Sequence, residues 1–558
     1  EPGFIVIDRR MIAQEYQITI PAGSTLCVEK LSSVYTSRDR DSEGLSYDEL
    51  HDKALAGHEA ACGLGYDELL SESAAAWARK VWDNIPVTID AENEFDQLAM
   101  RFAQYHLHVM TPAHDNRMNI GAKGLSGEGY KGHTFWDTEM FILPYFIYSA
   151  PEIAKSLEEY RFLSLPGAHK KAGGNGYEGA QFPWESAWID DGEVTPVWGA
   201  ADIVTGLPTK IWSGFIEQHI TADVAYGAWE YYMVTGDEDF MERCGYELIL
   251  DTAKFWASRL EEGEDGKLHI NDVVGPDEYK EHVDDNAFTN HMAAWNIRKA
   301  LEYCGLLRSE KPALYKALDE KLGLAALEPV WEDKLSRLYL PQPREDLVIP
   351  QDRTYLTLKD IDLTKYKKQE NVGSIYRDYN QEQITHIQVS KQADILIMFL
   401  LLENQFSAEV KAANWNYYEP RTLHDSSLSL STHCILAGDM GNREMAYELF
   451  QKAAAIDVGP NMKTSDAGIH AASLAGVWQS VVFGFGGVRM LDGKLRMNPS
   501  LPESWRGLDF FIHWQGQKLH VSLSHERAEL VNLTGTREVE LSINGRPCTV
   551  KDKLSVNL

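Results

Sequence analysis

The stretch VVGPDEYKEHVDDNAFTN, Val273 to Asn290, gathers seven acidic or amide side chains in eighteen positions. Gly275 and Pro276 bend it, and an apolar-periodic run follows it. A solvated acidic turn that caps the next helix is the ordinary reading. The chemical reading is a carboxylic acid kept protonated near neutral pH, as a group that protonates a leaving glycosidic oxygen must be. Glu278 follows Asp277 and stands near Asp284 and Asp285 in sequence, and like-charged neighbours raise a carboxyl's pKa.

Other loops offer complementary chemistry. In YKGHTFWDTEMFILPYF, Trp136 and Asp137 pair an indole with a carboxylate; the first can stack on the C–H face of a pyranose and the second can accept two hydroxyls. A buried Trp beside a helix-capping Asp explains the same dipeptide without a ligand. In HDSSLS, Ser426 and Ser427 stand at the expected start of a helix running to about Ala437. Free N–H groups there, with two hydroxyls, make an anion cradle, to which His470 in GIHAAS can add a third donor. A plain N-cap is the competing reading. An inverting hydrolase needs a second carboxylate ~6.5–9.5 Å from the acid, and Glu419 and Asp425 are the candidates.

These loops need a scaffold. The 558 residues exceed one ordinary core, and the apolar fraction of 44% with 15 Trp and 25 Tyr belongs to a well-packed globular protein. A formal charge of −31 argues against nucleic acid or an anionic membrane as partner, and any phosphate site must be a local positive exception. Six cysteines (Cys27, Cys62, Cys244, Cys304, Cys434 and Cys548) stand singly, as small buried hydrophobes do in a reducing compartment. With no run of eighteen apolar residues and no leader-like opening, a cytoplasmic protein is expected.

Alternation predicts strands over 1–38, and helical spacing begins at Ser46. From 94 to about 486, amphipathic helices alternate with long Gly- and aromatic-rich loops; the clearer ones are Phe95–Met110, Ile220–Val234, Phe240–Leu260, Phe288–Leu306, Gln392–Leu402 and Ala467–Phe483. After FGFGGVRMLDGKLRMNPSLPESW the period changes to two, with hairpin turns at Gln515–Gly516–Gln517 and Asn544–Gly545. The pattern is a mainly α protein, a large helical barrel flanked by β-structure.

The run from about Glu94 to Pro499 resembles the phosphorylases of glycoside hydrolase family 65, which act on maltose, trehalose, kojibiose, nigerose and 2-O-α-glucosylglycerol. The matching motifs are GHTFWDTEMF, GPDEYKEHVDDNAFTN, KQAD, EPRTLHDSSLS and GIHAASLAGVWQSVVFGFGG, in that order. The resemblance implies an (α/α)6 barrel over 94–486, a C-terminal β-domain over 487–558, a truncated N-terminal β-sandwich in 1–38 and a helical linker over 39–93. It implies inverting phosphorolysis of an α-glucoside to β-glucose 1-phosphate, with inorganic phosphate as co-substrate and neither metal nor organic cofactor. By the same resemblance Glu278 is the general acid, Trp136, Asp137, Lys391 and Gln392 hold the glucose, and Ser426, Ser427 and His470 hold the phosphate. Trp184, Trp188 and Tyr376, in loops that vary across the family, are expected with Lys391 to line the acceptor side. A homodimer is the family's assembly, and the short N-terminal strand region puts it in question.

A hydrolase of the same family is the nearest rival, and it requires Glu419 or Asp425 as base. A sugar-binding protein without catalysis has no use for Glu278, and a structural toroid has none for Trp–Asp loops. Wording such as DVAYGAWEYYMVTGD and RTLHDSSLS is closer to the kojibiose and glucosylglycerol members than to the maltose ones.

Overall fold

The computed structural model describes residues 4–9, 11–369, 372–459 and 465–558. The chain divides into two compact units, Glu1–Asn84 and Ile85–Leu558.

In the first unit, β1 (Phe4–Asp8) pairs antiparallel with β2 (Met11–Glu15), and helices Tyr47–Leu64 and Tyr66–Trp77 follow. Ser46 and Glu49 form a reciprocal capping box that starts the first helix. The strands expected to fill 16–36 are absent among the described residues. That stretch alternates as a strand does, yet its Ile18 and Val34 are 55% and 84% exposed, and no neighbouring strand takes up its N–H and C=O groups. Alternation supplies a face, but a ladder needs a partner.

The second unit opens with β3 (Thr88–Ala91), inside the segment expected to be a helical linker. Six inner helical segments then form a closed ring in which each packs on the next: 138–149, Ile220–Thr235, Ala287–Glu310, Asp394–Leu401, Ser429–Asp439 and Ala471–Gln479, the last returning to the first. An outer set packs against them: Glu94–Val109, Pro151–Leu163, Tyr246–Arg259, Leu324–Arg337, Ala408–Tyr418 and Arg443–Val458. This is the (α/α)6 arrangement. Inner helices are apolar on nearly every side because helices surround them; every residue of Ala471–Gln479 is buried. Outer helices carry the sharper stripe. Caps fix the ends: Asn93, Asn286, Ser407 and Asn442 accept backbone N–H groups of the first turn, and Gly236, at φ 70°, closes Ile220–Thr235.

Two short hairpins interrupt the ring, β4 (Trp198–Ala201) with β5 (Pro208–Lys210) and β6 (Glu261–Glu262) with β7 (Leu268–His269). The C-terminal β-structure holds β8 (Val488–Leu491), β9 (Lys494–Met497), β10 (Trp505–Trp514), β11 (Gln517–Leu523), β12 (Arg527–Asn532), β13 (Val539–Ile543), β14 (Arg546–Val550) and β15 (Lys553–Asn557). They form two sheets, ordered β15-β12-β11-β10-β3 and β14-β13-β9-β8. Both hairpin turns fall where the sequence puts them, with Gln515–Gly516 and Asn544–Gly545 all at positive φ, the two-residue turn that matches strand twist. The linker reading failed at 88–91 because β3's partner, β10, lies over 400 residues away in sequence. Of the cysteines, Cys244, Cys304 and Cys434 are buried as expected, whereas Cys27 and Cys62 are exposed. No helix of the described residues is long and apolar enough to cross a membrane.

One buried ion pair orients the segment that bears Trp136 and Asp137. Arg161 and Glu139 are both 0% exposed; the guanidinium donates to both Glu139 oxygens (2.5 and 2.9 Å), to Phe135 O (2.9 Å) and to Ser186 Oγ (3.2 Å). Arg161→Met strands the Glu139 charge in the core and is expected to cost about 3–5 kcal/mol, read as a lower denaturation midpoint. Combining it with Glu139→Gln restores part of the loss. An unchanged midpoint in the single variant refutes this role.

Candidate active site

The loop singled out first in the sequence is held from beneath by carboxylates. Asp394, 0% exposed at the start of its helix, accepts the Asp277 N–H (2.6 Å) on one oxygen and Asn286 Nδ2 (2.6 Å) on the other. Asp277, also 0% exposed, accepts the Lys391 and Tyr279 N–H groups (2.8 and 3.3 Å) and Gln351 Nε2 (2.9 Å). Burial raises both carboxyls, and their mutual repulsion raises Asp394 further. Gly275 is required by close approach: a Cβ there would lie 2.3 Å from Asn286 Nδ2 and 2.5 Å from Asp394 Oδ2. Past the turn, Lys280 donates to Ile384 O and Ile387 O (2.8 and 2.7 Å), and Tyr279 joins an apolar cluster with Ile375, Ile384 and Val389. The loop is therefore fixed on both sides of Glu278.

Glu278 stays partly open, with its side chain 39% exposed, and it receives Lys391 Nζ at 2.8 Å. Asp284 and Asp285 do not share its space. Asp285 bonds His269 (2.8 Å), Arg353 and Asn290 (3.1 Å), and Asp284 accepts the Asp272 N–H (3.0 Å). The expectation that they set the acid's environment is corrected: the backbone turns at His282 and Asp285, both at positive φ, carrying them to the structural side. The carboxyls that feel Glu278 come from elsewhere. Burial pushes Asp137, Glu217 and Glu281 up to about 7 each, and the charge of Glu278 adds to all three. Lys391 is held above its usual value because attraction to Glu278 outweighs its burial. Asp137, Glu217 and Glu281 therefore retain protons near neutral pH.

Asp137 takes no side-chain hydrogen bond among the described residues, so its oxygens are available to a ligand. Trp136 is only 2% exposed, its ring edge-to-face with Phe141, His219 and Phe288 at 5.4, 4.8 and 6.2 Å. The open indole face expected for sugar stacking is thus covered: ring packing in the core has claimed it. Trp184, 6% exposed, flanks the same His219 ring at 5.5 Å. His219 bonds Asp223 (2.7 Å) and approaches Glu217 (3.4 Å), which raise it to about 9 against its burial. Gln392 spends Nε2 on Pro276 O (2.6 Å). Tyr376 packs on Tyr279 (5.7 Å), and the charges of Lys391 and Glu278 act on its hydroxyl, as they do on that of Tyr130. Trp188 lies apart, beneath the Arg117 guanidinium at 5.4 Å.

On the opposite wall, the helix begins at Ser429 rather than at the serine pair. Ser426 Oγ accepts the Leu428 N–H (3.2 Å), a local turn that competes with helix and delays it. His470 meets Asp457 through Nδ1 (2.8 Å) and Lys123 Nζ through Nε2 (2.7 Å), and does not bond either serine. Burial lowers Lys123, while Asp457, Asp466 and Asp137 act to raise it, so this ammonium stands between the His470–Asp457 pair and Asp137.

Among the described residues only Glu419, His424 and His433 converge as metal ligands can. Hydrogen bonds join all three, and His433 Nε2 is left buried without a partner. Glu419 Oε2 faces His433 Nδ1 (2.6 Å) and His424 Nε2 (3.4 Å), and His424 Nδ1 meets Ser429 Oγ (2.9 Å). These contacts hold Glu419 far below the usual carboxylate range despite its burial, and burial drops His424 to about 4. The cluster clamps His424, at φ 56°, and with it the start of the serine turn.

Sequence reading missed Asp394, Gln351, Glu217, His219 and Lys123. Only Glu217 and His219 had a local signal, a Glu-x-His immediately before an apolar helix. Asp277→Ala leaves three buried donors unpaired, each worth about 1–3 kcal/mol. It is expected to lower kcat by about 10²-fold through misplacement of Glu278, with a smaller change in sugar KM. Asp277→Asn keeps one acceptor and recovers part of the rate. A wild-type kcat in the alanine variant defeats the assignment.

Residues 101–479 match the model of the glycosyl hydrolase family 65 central catalytic domain, 488–550 its C-terminal domain and 5–80 its N-terminal domain. A kojibiose phosphorylase of Halothermothrix orenii is 46% identical over 99% of this chain and 72% of its own length. A 1,2-alpha-glucosylglycerol phosphorylase of Bacillus selenitireducens is 34% identical over 94% and 68%. A solved structure from the human microbiome, described as a candidate kojibiose phosphorylase, superposes with a TM-score of 0.82 at 27% identity, covering 93% of this chain and 69% of that one. With its catalytic-domain match spanning most of the chain and its inner ring of six helices carrying the acid loop, this protein belongs to glycosyl hydrolase family 65.

Proposed function

We propose that this chain catalyses inverting phosphorolysis of kojibiose, releasing β-glucose 1-phosphate and glucose, and the reverse synthesis. The single observation that carries phosphorolysis over hydrolysis is the state of the two candidate bases. Glu419 is taken by two imidazoles, His433 Nδ1 (2.6 Å) and His424 Nε2 (3.4 Å), which hold it below the usual carboxylate range despite its burial. Asp425 spends one oxygen on Tyr279 OH (2.6 Å) and the other on the Gly373 N–H (2.9 Å). A hydrolase needs a free carboxylate there; a phosphorylase brings its nucleophile already ionised.

In this reading Glu278 protonates the leaving oxygen, and the shared protons of Asp137, Glu217 and Glu281 keep it supplied. Asp137, Lys391 and the free Gln392 oxygen hold the glucose hydroxyls, with Trp136 closing the wall behind them. Tyr376 and Trp184 border the acceptor. Ser426, Ser427 and His470, with Lys123, hold the phosphate that attacks C1 from the opposite face. In a chain of net charge −31 such short-range donors must do the capturing. Kojibiose is favoured over glucosylglycerol by 46% against 34% identity to the relatives of those names.

Glu278→Gln keeps size and hydrogen bonding but delivers no proton, so kcat on an unactivated disaccharide is expected to fall at least ~10²-fold. Ser426→Ala with Ser427→Ala is expected to raise KM for phosphate far more than KM for sugar. In labelled water, product glucose 1-phosphate should form only with added phosphate. Free glucose carrying solvent oxygen at equal rate without phosphate makes the enzyme a hydrolase. Synthesis from β-glucose 1-phosphate with glycerol exceeding that with glucose overturns the choice of acceptor.

A further inference from the structure

A second cavity, of about 510 Å³, lies between the helices Ile220–Thr235 and Ala287–Glu310, the segment 400–405 and the β8–β9 turn. Glu230 lines it from ten residues beyond Ile220, roughly 15 Å along the helix from the end joined to Glu217 and His219. It is separate from the loops around Glu278.

Two of its lining side chains, an acid and a base on facing helices, are unpartnered among the described residues. Glu230 is 9% exposed and makes no hydrogen bond or ion pair among the described residues; burial alone pushes its carboxyl up to about 8. Arg298, half-buried on the facing helix, likewise has no partner among them, and the two do not reach each other. Of the other rim charges, Lys299 pairs with Glu302 (2.6 Å), Glu403 with Arg496 (2.7 Å) and Arg489 with Asp439 (3.3 Å), while Asp492, in the β8–β9 turn, has no partner among the described residues. Behind Glu230, Glu158 is 0% exposed with neither oxygen hydrogen-bonded; the charge of Arg161 acts on Glu158, while no cation is recorded acting on Glu230 among the described residues. Beside Glu230 cluster Tyr226, Trp229 and Trp295, with ring centroids 5.1–5.4 Å apart. Lys299 Nζ already lies 5.5 Å over the Trp229 ring, so that ring accepts an ammonium. A buried carboxyl without a hydrogen-bond partner is costly, and burial favours its neutral form; a cationic group placed against it would favour the ionised form, and Arg298 can take the same ligand's anion.

We infer that this cavity binds a small zwitterion, such as an N-methylated amino acid, with its cationic nitrogen against Glu230 and the Tyr226–Trp229–Trp295 rings and its carboxylate on Arg298. Calorimetric titration of the full chain with glycine betaine tests it, with choline, acetate and glucose as single-charge and neutral controls. Betaine should saturate, with choline and acetate at least about tenfold weaker. Glu230→Gln and Arg298→Met should each weaken betaine about tenfold, while Glu278→Gln leaves it unchanged. Melting curves establish that the variants fold, and Arg298→Met, at a half-buried position, decides the matter if Glu230→Gln does not. Absence of saturable betaine binding, binding undiminished in the folded variants, choline as tight as betaine, or glucose binding in its place each overturns the inference.

Discussion

The Asp394 carboxylate is the point from which the reactive loop hangs. Its two oxygens fix the Asp277 N–H and the Asn286 amide, thereby setting both the turn before Glu278 and the cap of the helix after it. Asp277 passes the constraint on to Lys391 and Gln351. Two adjacent carboxyls in a desolvated site repel one another, and an arrangement of this kind persists only where many donors converge on it. Here five do, three of them backbone N–H groups and two side-chain amides. In return the position of Glu278 depends on rigid elements rather than on the flexibility of its own loop.

The same economy runs through the catalytic face. Charges are buried in closed sets: Arg161 with Glu139, Glu419 with two imidazoles, His470 between Asp457 and Lys123. Each set holds a segment with a proposed ligand contact, and each leaves that contact less committed than its support. Asp137 has no side-chain partner, and Ser427 makes no hydrogen bond among the described residues. Such a division places cost in the scaffold and leaves the reactive oxygens to the substrate.

Electrostatics also explains how an acidic chain can handle phosphate. The long-range field repels a dianion, so under the proposed phosphorolysis capture rests on donors at contact distance, for which Lys123 and the serine turn are the candidates. Lys391 pairs with Glu278, and the carboxyls around that pair, Asp137, Glu217 and Glu281, are pushed up by burial with the charge of Glu278 adding to each.

The sequence by itself determined the helical ring, its period and order, the C-terminal strands, both hairpin turns and the loops from which the chemistry comes. Those signals are local: 3.6- and 2-residue periods, caps, and turn residues with positive φ. It also singled out Glu278, Asp137 and the serine pair as candidates, because they sit in loops whose composition is unlike that of a helix or strand. Tertiary structure decided what stands beside them. Asp394 and Asp277 are 117 residues apart, Lys123 and His470 are 347 apart, and β3 finds β10 only at the other end of the chain. Sequence proximity misled at Asp284 and Asp285, which the backbone turns away from Glu278, and at Trp136, whose face the core covers. It misled again at 16–36, where alternation had no partner strand. Residue type and spacing state what a segment can do, but burial and pairing are settled only when segments distant in sequence meet.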